Sequence, residues 1–195
     1  QGLKPILGCE VYVAPKSRLE KKTGNGDEGG NYHLILLVKD EKGYRHLCQL
    51  ITSAYLEGFY YRPRIDKDIL REHSSGLIAF SSCLKGEIND FLVKDMDDKA
   101  EAAARQYLEI FGEENFYLEI QDHGLPEQKK ILPKIADLAR RLSIPLVATN
   151  DVHFLQKEDA QIQDILLCIQ TGKKLSDPDR MHFSSDQFYL KSSAE

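Results

Sequence analysis

The sequence predicts an α/β fold in which short apolar strands alternate with amphipathic helices. Five runs rich in Ile, Val, Phe and Tyr are nearly continuous rather than alternating, as in strands buried on both faces. These runs span residues 5–13, 33–38, 77–80, 116–120 and 145–148. Strands separated by helical patterns indicate βαβ units and a parallel sheet. Five strands are few for a closed α/β barrel, so an open sheet and a truncated barrel both fit.

The helical patterns cover residues 41–56, 97–111, 126–142 and 158–169. The first places apolar side chains at three- and four-residue spacing, namely Tyr44, Leu47, Ile51 and Tyr55. The second ends at Gly112 and the fourth near Gly172, a residue type favoured just beyond a helix. The third begins with Pro126, which suits a first helical turn. Pro133 inside it predicts a kink or a break, because an interior proline costs about 3 kcal/mol.

Composition excludes several classes of protein. The chain has 195 residues, a net charge of −5, 42% hydrophobic and 29% charged residues, which is typical of a single globular domain. Its acidic balance disfavours nucleic-acid binding through bulk positive charge, so any such contact must use local patches. No apolar run approaches about 18 residues, and no secretory signal is present, so a membrane partner is not expected.

The cysteines predict a reducing, cytoplasmic location. Cys9, Cys48, Cys83 and Cys168 lie far apart, and none forms a CxxC pair. Without a secretory signal this pattern favours reduced thiols over a disulfide framework.

Two segments have the composition of loops, and both ends of the chain predict a piece of a larger protein. Residues 16–31 combine Gly, Asn and Asp with Lys and Arg, which is typical of a long mobile loop. The composition of residues 171–180 indicates a linker that leads away from the core. The chain begins at Gln1 without Met and ends just after an apolar stretch.

Side chains of the metal-ligand type lie within or next to the predicted strands. Glu10 sits inside the first strand, where a carboxylate is costly to bury unless it is paired or metal-bound. His33 opens the second strand, and Cys83 follows the third. Asp151 and His153 follow the fifth, and in extended backbone residues two apart point the same way. Glu119 and His123 flank the end of the fourth strand, and Asn150 directly precedes Asp151. These positions are where α/β folds build their sites.

Carboxylate, imidazole and thiolate together suit zinc, manganese or iron(II). Such metals polarise phosphate esters and activate water at neutral pH. Each residue also has a simpler interpretation. Glu10 fits a buried ion pair, His33 a core histidine, Cys83 a packing residue, and Asp151 a cap on the following turn. His123, which follows the fourth strand close to Glu119, fits a turn.

Other phosphate-binding signals are missing from the sequence. There is no Walker loop, GxSxG elbow or GxGxxG after a strand, and the glycines at 24–30 precede no helix. The cluster Tyr60-Tyr61-Arg62-Pro63-Arg64 has the composition to stack on and clamp single-stranded nucleic acid. It equally fits the packing of a loop.

Four strings in order resemble the PHP (polymerase and histidinol phosphatase) domain of bacterial replicative DNA polymerase III alpha subunits. They are 4–13, 59–64, 82–88 and 145–153, and the resemblance continues through 164–173. It implies a distorted seven-stranded α/β barrel, truncated here to about five strands. It also implies residues 1–157 as an N-terminally truncated PHP domain and 158–195 as a helix and linker toward the polymerase core.

The resemblance implies a metal site with up to three divalent ions (Zn, Mn or Fe). The matching ligands are Glu10, His33, Cys83, Asp151 and His153, of which Asp151 and His153 are the expected catalytic residues. The family's early His-x-His motif and the ligands after it would precede Gln1. We therefore expect the chain alone to hydrolyse poorly, because a multi-metal site without these ligands loses charge and geometry.

Three functions follow from these patterns. The first is a part of a DNA-directed DNA polymerase, whose PHP domain hydrolyses phosphodiesters as a 3′→5′ proofreading exonuclease or stabilises the polymerase. Its partners would be DNA, a sliding clamp and other holoenzyme subunits. The second is a stand-alone phosphatase of the histidinol phosphatase type. The third is a non-catalytic scaffold that binds a separate proofreading exonuclease.

Overall fold

The computed structural model describes residues 2–21, 31–192 and 194–195, and it contains a six-stranded sheet flanked by helices. The strands are β1 (Gly8–Val13), β2 (Tyr32–Val38), β3 (Arg64–Ile65), β4 (Leu77–Phe80), β5 (Phe116–Ile120) and β6 (Leu146–Ala148). Five of them match the predicted apolar runs. The sequence missed β3, because two residues are too short to give a period and one of them is arginine.

The helices are α1 (Glu41–Leu56), α2 (Lys67–Glu72), α3 (Glu87–Val93), α4 (Asp97–Phe111), α5 (Pro126–Leu142) and α6 (Ala160–Thr171). Helix α1 begins where the Asp40 side chain accepts a hydrogen bond from the Gly43 N–H at 2.8 Å. Of the kink or break predicted at Pro133, the break is wrong, since α5 runs through it as one element. Burial of the apolar face that includes Ile131 and Ile135 offsets the hydrogen bond lost there.

The strand order is β3-β1-β2-β4-β5-β6, and the prediction of an all-parallel sheet is wrong at one strand. β2 pairs antiparallel with both β1 and β4, whereas β1–β3, β4–β5 and β5–β6 are parallel. The connection from β1 to β2 has no crossover helix among its described residues, and a parallel neighbour needs one. The carboxyl ends of five strands and the amino end of β2 therefore share one rim of the sheet.

One face of the sheet carries the core. Val11, Leu34, Leu36 and Leu118 are buried among the helices, whereas the alternate residues of β1, β2 and β4 stay partly exposed. Burial on both faces is therefore wrong for these strands, although each contains few polar residues. The half-covered face includes Glu10, and it forms the wall of the candidate site.

The sheet does not close into a barrel, because β3 and β6 remain as its edges. This confirms a mixed α/β fold consistent with a partial barrel. Within the described residues, none of the helices combines the length and the apolar character required to cross a bilayer.

The two predicted loop segments have different outcomes. Arg18, in the first segment, is ordered by bonds to Glu57 and Asp66, and the glycine-rich residues 22–30 lie outside the described residues. Beyond the second segment, residues 183–191 pack against the segment that follows β6: Phe188 is buried, and its carbonyl accepts from the His153 backbone N–H at 2.8 Å.

Candidate metal centre

The antiparallel register of β1 and β2 brings Glu10 and His33 together. Tyr12 lies directly opposite His33, and Glu10 lies opposite Ile35, so Glu10 and His33 are diagonal neighbours on one face. Glu10 Oε1 lies 3.1 Å from His33 Nδ1. A parallel β2 would place His33 at the opposite rim, so the strand direction that the sequence did not predict is what joins these two side chains.

Cys83 reaches the same point from the turn that follows β4. Its Sγ lies 3.8 Å from the ring nitrogen Nδ1 of His33. The backbone N–H of His33 donates to the Lys85 carbonyl at 3.0 Å. Ser82 has a left-handed backbone, with φ of 67°. A Cβ on Gly86 would lie 2.0 Å from the Ser81 carbonyl oxygen, so only glycine fits this tight turn.

Asn89 in α3 holds the Cys83 turn from beneath. Its buried amide donates to the carbonyls of Ser82 at 2.9 Å and Cys83 at 3.1 Å. The turn is therefore fixed by a side chain of the next helix, which offsets the backbone strain at Ser82.

The electrostatics of this cluster favour positive charge. Hydrogen bonds to Cys83 and to Glu10 raise the pKa of His33 to about 9, against the opposing effect of burial. The hydrogen bond from His33 lowers the pKa of Glu10, with burial opposing this effect and the charge of His33 adding to it. A pocket that stabilises an extra proton on imidazole is also favourable for a metal cation, which competes with that proton.

Asp151 and His153 lie beyond β6 rather than in extended backbone. Asp151 has a left-handed backbone with φ of 44°, so the expected strand-like alternation is wrong there. The two side chains still approach, with His153 Nδ1 at 3.9 Å from Asp151 Oδ1. His153 Nδ1 also lies 2.6 Å from the Asp151 carbonyl oxygen. Rings of Phe183 and Phe188, with centroids 4.7 Å and 5.6 Å away, pack against the imidazole.

His123 has a packing role in this structure. It is buried, its Nδ1 accepts from Gln128 Nε2 at 2.7 Å, and its Nε2 donates to the Asn150 carbonyl at 2.9 Å. Its ring stacks on Phe188 at 4.0 Å. His123 therefore anchors the residue before Asp151 and has no ring nitrogen left for a metal.

Glu119 is a buried acid at the end of β5 whose role the sequence did not identify. Its carboxylate accepts hydrogen bonds from Thr149 Oγ1 and Gln121 Nε2, while Oε2 has no hydrogen-bond partner among the described residues. Burial raises the pKa of Glu119, and the nearby charge of Asp151 adds to the rise. Glu119 thus links the end of β5 to the segment that carries Asp151.

The donors fit a divalent metal only in part. Two ligand atoms about 2.0–2.3 Å from one ion stand roughly 3.0–3.8 Å apart, the range of the His33 contacts with Glu10 and Cys83. Yet no three His, Cys, Asp or Glu side chains in the described ranges gather closely enough to hold a metal ion. The structure therefore brings the five candidates to one rim as a Glu10–His33–Cys83 cluster and an Asp151–His153 pair, which do not form one complete ligand set.

The fold is an open α/β sheet consistent with a partial barrel, and it carries acid, imidazole and thiol side chains at one rim. The model of the PHP domain family matches residues 1–123, and the chain belongs to this family.

Curated relatives agree with this assignment. The chain is 51% identical over 193 residues to DNA polymerase III subunit alpha of Treponema pallidum, with 99% of this chain and 16% of that protein covered. It is 51% identical over 194 residues to the Thermus aquaticus subunit, covering 100% and 16%. The Borreliella burgdorferi subunit is 44% identical over 196 residues, covering 100% and 17%. The chain thus spans about one-sixth of the length of these relatives.

Proposed function

We propose that this chain is the PHP part of a cytoplasmic DNA polymerase III alpha subunit and contributes ligands to a metal-dependent phosphodiesterase site. The observation that carries the proposal is His33, held between the Glu10 carboxylate and the Cys83 thiol. Residues 1–157 would form the PHP part, and 158–195 would lead toward the polymerase core. DNA, the sliding clamp and other holoenzyme subunits would be the partners of the whole subunit.

The apolar surface of α6 supports a place within a larger protein. Four large aliphatic side chains at helical spacing are exposed, and we call them the α6 stripe: Ile162, Ile165, Leu166 and Ile169. Only Leu167 and Cys168 of this helix are buried. A helix that is apolar on most sides is normally covered by protein. A stand-alone phosphatase does not account for this surface or for the long polymerase relatives.

The chain's residues have separable roles in this proposal. Glu10, His33 and Cys83 would hold a metal on one side, and Asp151 and His153 on the other. The 2.6 Å contact assigns the His153 proton to Nδ1, which donates to the Asp151 carbonyl and leaves the Nε2 lone pair for a ligand. A bound divalent ion would supply Lewis-acid polarisation of the scissile phosphate and an acidified water.

The test uses the longer alpha subunit that contains this chain. Cys83→Ser and Asp151→Ala should lower bound metal, measured by elemental analysis, and slow removal of a mismatched 3′ nucleotide, with primer extension kept. Cys48→Ser changes an exposed thiol on α1 and is the matched control. Unchanged metal content and unchanged nucleotide removal in both variants would contradict the proposal.

A second function, a stabilising module without hydrolysis, is favoured by the incomplete ligand set in the described residues. Under that function, Cys83→Ser and Asp151→Ala lower the melting temperature of the subunit. If the alpha subunit never released a 3′ nucleotide, with or without added zinc, manganese or iron, the stabilising function would be supported over hydrolysis.

A further inference from the structure

The loop between α1 and β3 lies beside the candidate metal centre and presents two exposed side chains, Tyr61 and Arg62. The Tyr60 N–H donates to the Arg62 carbonyl at 3.0 Å, which closes a tight turn. Tyr61 at its tip has a left-handed backbone with φ of 57°, an uncommon conformation for an aromatic residue. Its side chain is 80% exposed. Strained backbone that holds an exposed ring away from the core is a frequent mark of a binding site.

Arg64 and Tyr60 belong to the support of this loop. Arg64 is buried, its Nε donates to the Gly58 carbonyl at 2.9 Å, and its Nη2 donates to the carbonyls of Arg18 and Glu20. The Tyr60 ring lies 5.3 Å from the Arg64 guanidinium. Two residues of the aromatic and basic cluster therefore support the loop. Tyr61, whose ring meets the Tyr60 ring edge-on at 4.6 Å, and Arg62 stay exposed to a ligand.

Arg62 connects this loop to the centre. It is exposed and has no ion pair among the described residues, and its guanidinium carbon lies 5.8 Å from the Tyr12 ring. The Tyr12 ring lies 5.1 Å edge-on from the ring of His33. Arg62, Tyr12 and His33 therefore form a continuous path along the half-covered face of the sheet.

The charges around the loop are compatible with a polyanion. The nearby carboxylates of Glu57 and Asp66 are both bonded to Arg18. The Lys21 ammonium donates to the carbonyls of Glu57 and Phe59, which adds positive charge behind the loop. No unpaired acid of this loop therefore faces a ligand at Arg62.

We propose that Tyr61 and Arg62 form a docking platform for a single strand of DNA, with a base stacked on Tyr61 and a phosphate held by Arg62. Base–aromatic stacking accepts any base, and the arginine fork binds phosphate, so the pair suits a strand of any sequence. The inference deepens the proposed function, on which it rests, because the platform would feed a strand end toward His33.

The first test measures binding without catalysis. Fluorescein-labelled oligothymidine of about 12 nucleotides is titrated with the 195-residue chain in EDTA, and anisotropy is recorded over a series of salt concentrations. Tyr61→Ala should weaken binding about 5- to 150-fold, the equivalent of one lost stacking contact, while Tyr61→Phe binds normally. Arg62→Gln should lower the slope of log affinity against log salt by about 0.7, the loss of one phosphate contact, while Arg62→Lys keeps the slope.

The controls separate this inference from the proposed function. Tyr44→Ala removes an exposed tyrosine on α1 and should bind as the wild type does. EDTA removes divalent metal from the assay, so binding is scored apart from hydrolysis. Intact binding to the platform in a wild-type subunit that never removes a 3′ nucleotide would contradict only the proposed function. Wild-type affinity and salt slope in both Tyr61→Ala and Arg62→Gln would overturn the platform.

A second measurement needs no variant and uses the intact alpha subunit. An oligonucleotide with iododeoxyuridine at one of the positions just upstream of its 3′ end is photo-crosslinked to the subunit, and the attached peptides are mapped by mass spectrometry. We expect a crosslink at Tyr61. Crosslinks within residues 2–192 only at other aromatic residues, or no crosslink in that range, would overturn the inference.

Discussion

Arg18 Nη1 donates to both carboxylate oxygens of Asp66 at 3.1 Å, across 48 residues of sequence. Asp66 is buried and also accepts from the backbone N–H groups of Arg18 and Ile69, so one side chain caps α2 and fixes the segment before residue 22. Because Arg18 also binds Glu57, this pair supports the loop that carries Tyr61.

The Asp66 pair predicts a loss of stability in acid. Burial alone would raise the pKa of Asp66, but the backbone donors and the Arg18 guanidinium outweigh it and lower the pKa. A depressed folded-state pKa means that the stabilisation is complete above the unfolded value of about 3.9 and is lost as pH falls through the lower folded value.

Asp66→Asn should lower the free energy of unfolding at pH 7 by roughly 1.5–3 kcal/mol and flatten its dependence on pH below about 4. Urea unfolding at a series of pH values measures both effects. Asp68→Asn, an exposed carboxylate on the same helix, is the matched control and should behave as the wild type. If the free energy of unfolding of Asp66→Asn and of the wild type depended on pH in the same way, the role of the Asp66 carboxylate in acid sensitivity would be refuted.

The hydrogen bonds from Asn89 to the Cys83 turn predict that a change in α3 alters the metal affinity of the site. Asn89→Ala removes the amide donor from the Ser82 and Cys83 carbonyls, of which Cys83 keeps the Gly86 N–H, so we expect a loss of about 1–3 kcal/mol in stability. In the longer subunit, metal affinity should fall about 10- to 100-fold, as when a supporting contact of a ligand is removed. Equilibrium dialysis with zinc measures it. Lys94→Ala, just beyond the same helix, is the control, and equal affinities in the two variants would contradict the role of Asn89.

The sequence predicted five of the six strands, because an apolar run depends on local composition, whereas the metal ligands remain a prediction. It did not predict the direction of β2, which depends on the path of the chain, and that direction places His33 at the rim with Cys83 and Glu10. The composition of the 60–64 cluster left nucleic-acid binding and loop packing open, and for Arg64 the structure shows packing, because it donates to backbone carbonyls of distant segments. The left-handed backbone at Asp151 is likewise set by the contacts of its neighbours, which no local pattern encodes.

His123 predicts that packing controls the position of Asp151. His123→Ala removes the donor to the Asn150 carbonyl and leaves the Gln128 amide without its ring acceptor. We expect a loss of about 1–3 kcal/mol in stability and faster amide exchange at residues 150–154. Hydrogen exchange with mass spectrometry reports both. His182→Ala, an exposed histidine in the returning segment, should change neither, and unaltered exchange in His123→Ala would refute this role.

The α6 stripe predicts that the 195-residue chain associates with itself when nothing covers it. Exposed aliphatic side chains at helical spacing form a continuous apolar patch, and water is excluded from such a patch when two copies meet. The double variant Ile165→Glu, Ile169→Glu should therefore remain monomeric in sedimentation velocity where the wild type forms larger species. Leu56→Glu changes an exposed leucine at the end of α1 and is the control for added charge.

In the longer alpha subunit, the double variant Ile165→Glu, Ile169→Glu should lower the melting temperature, because there we expect the stripe to be covered. Two results together would contradict this prediction: a wild-type chain that stays monomeric at high concentration, and an unchanged melting temperature of the longer double variant. They would show that the stripe faces water both in the 195-residue chain and in the alpha subunit.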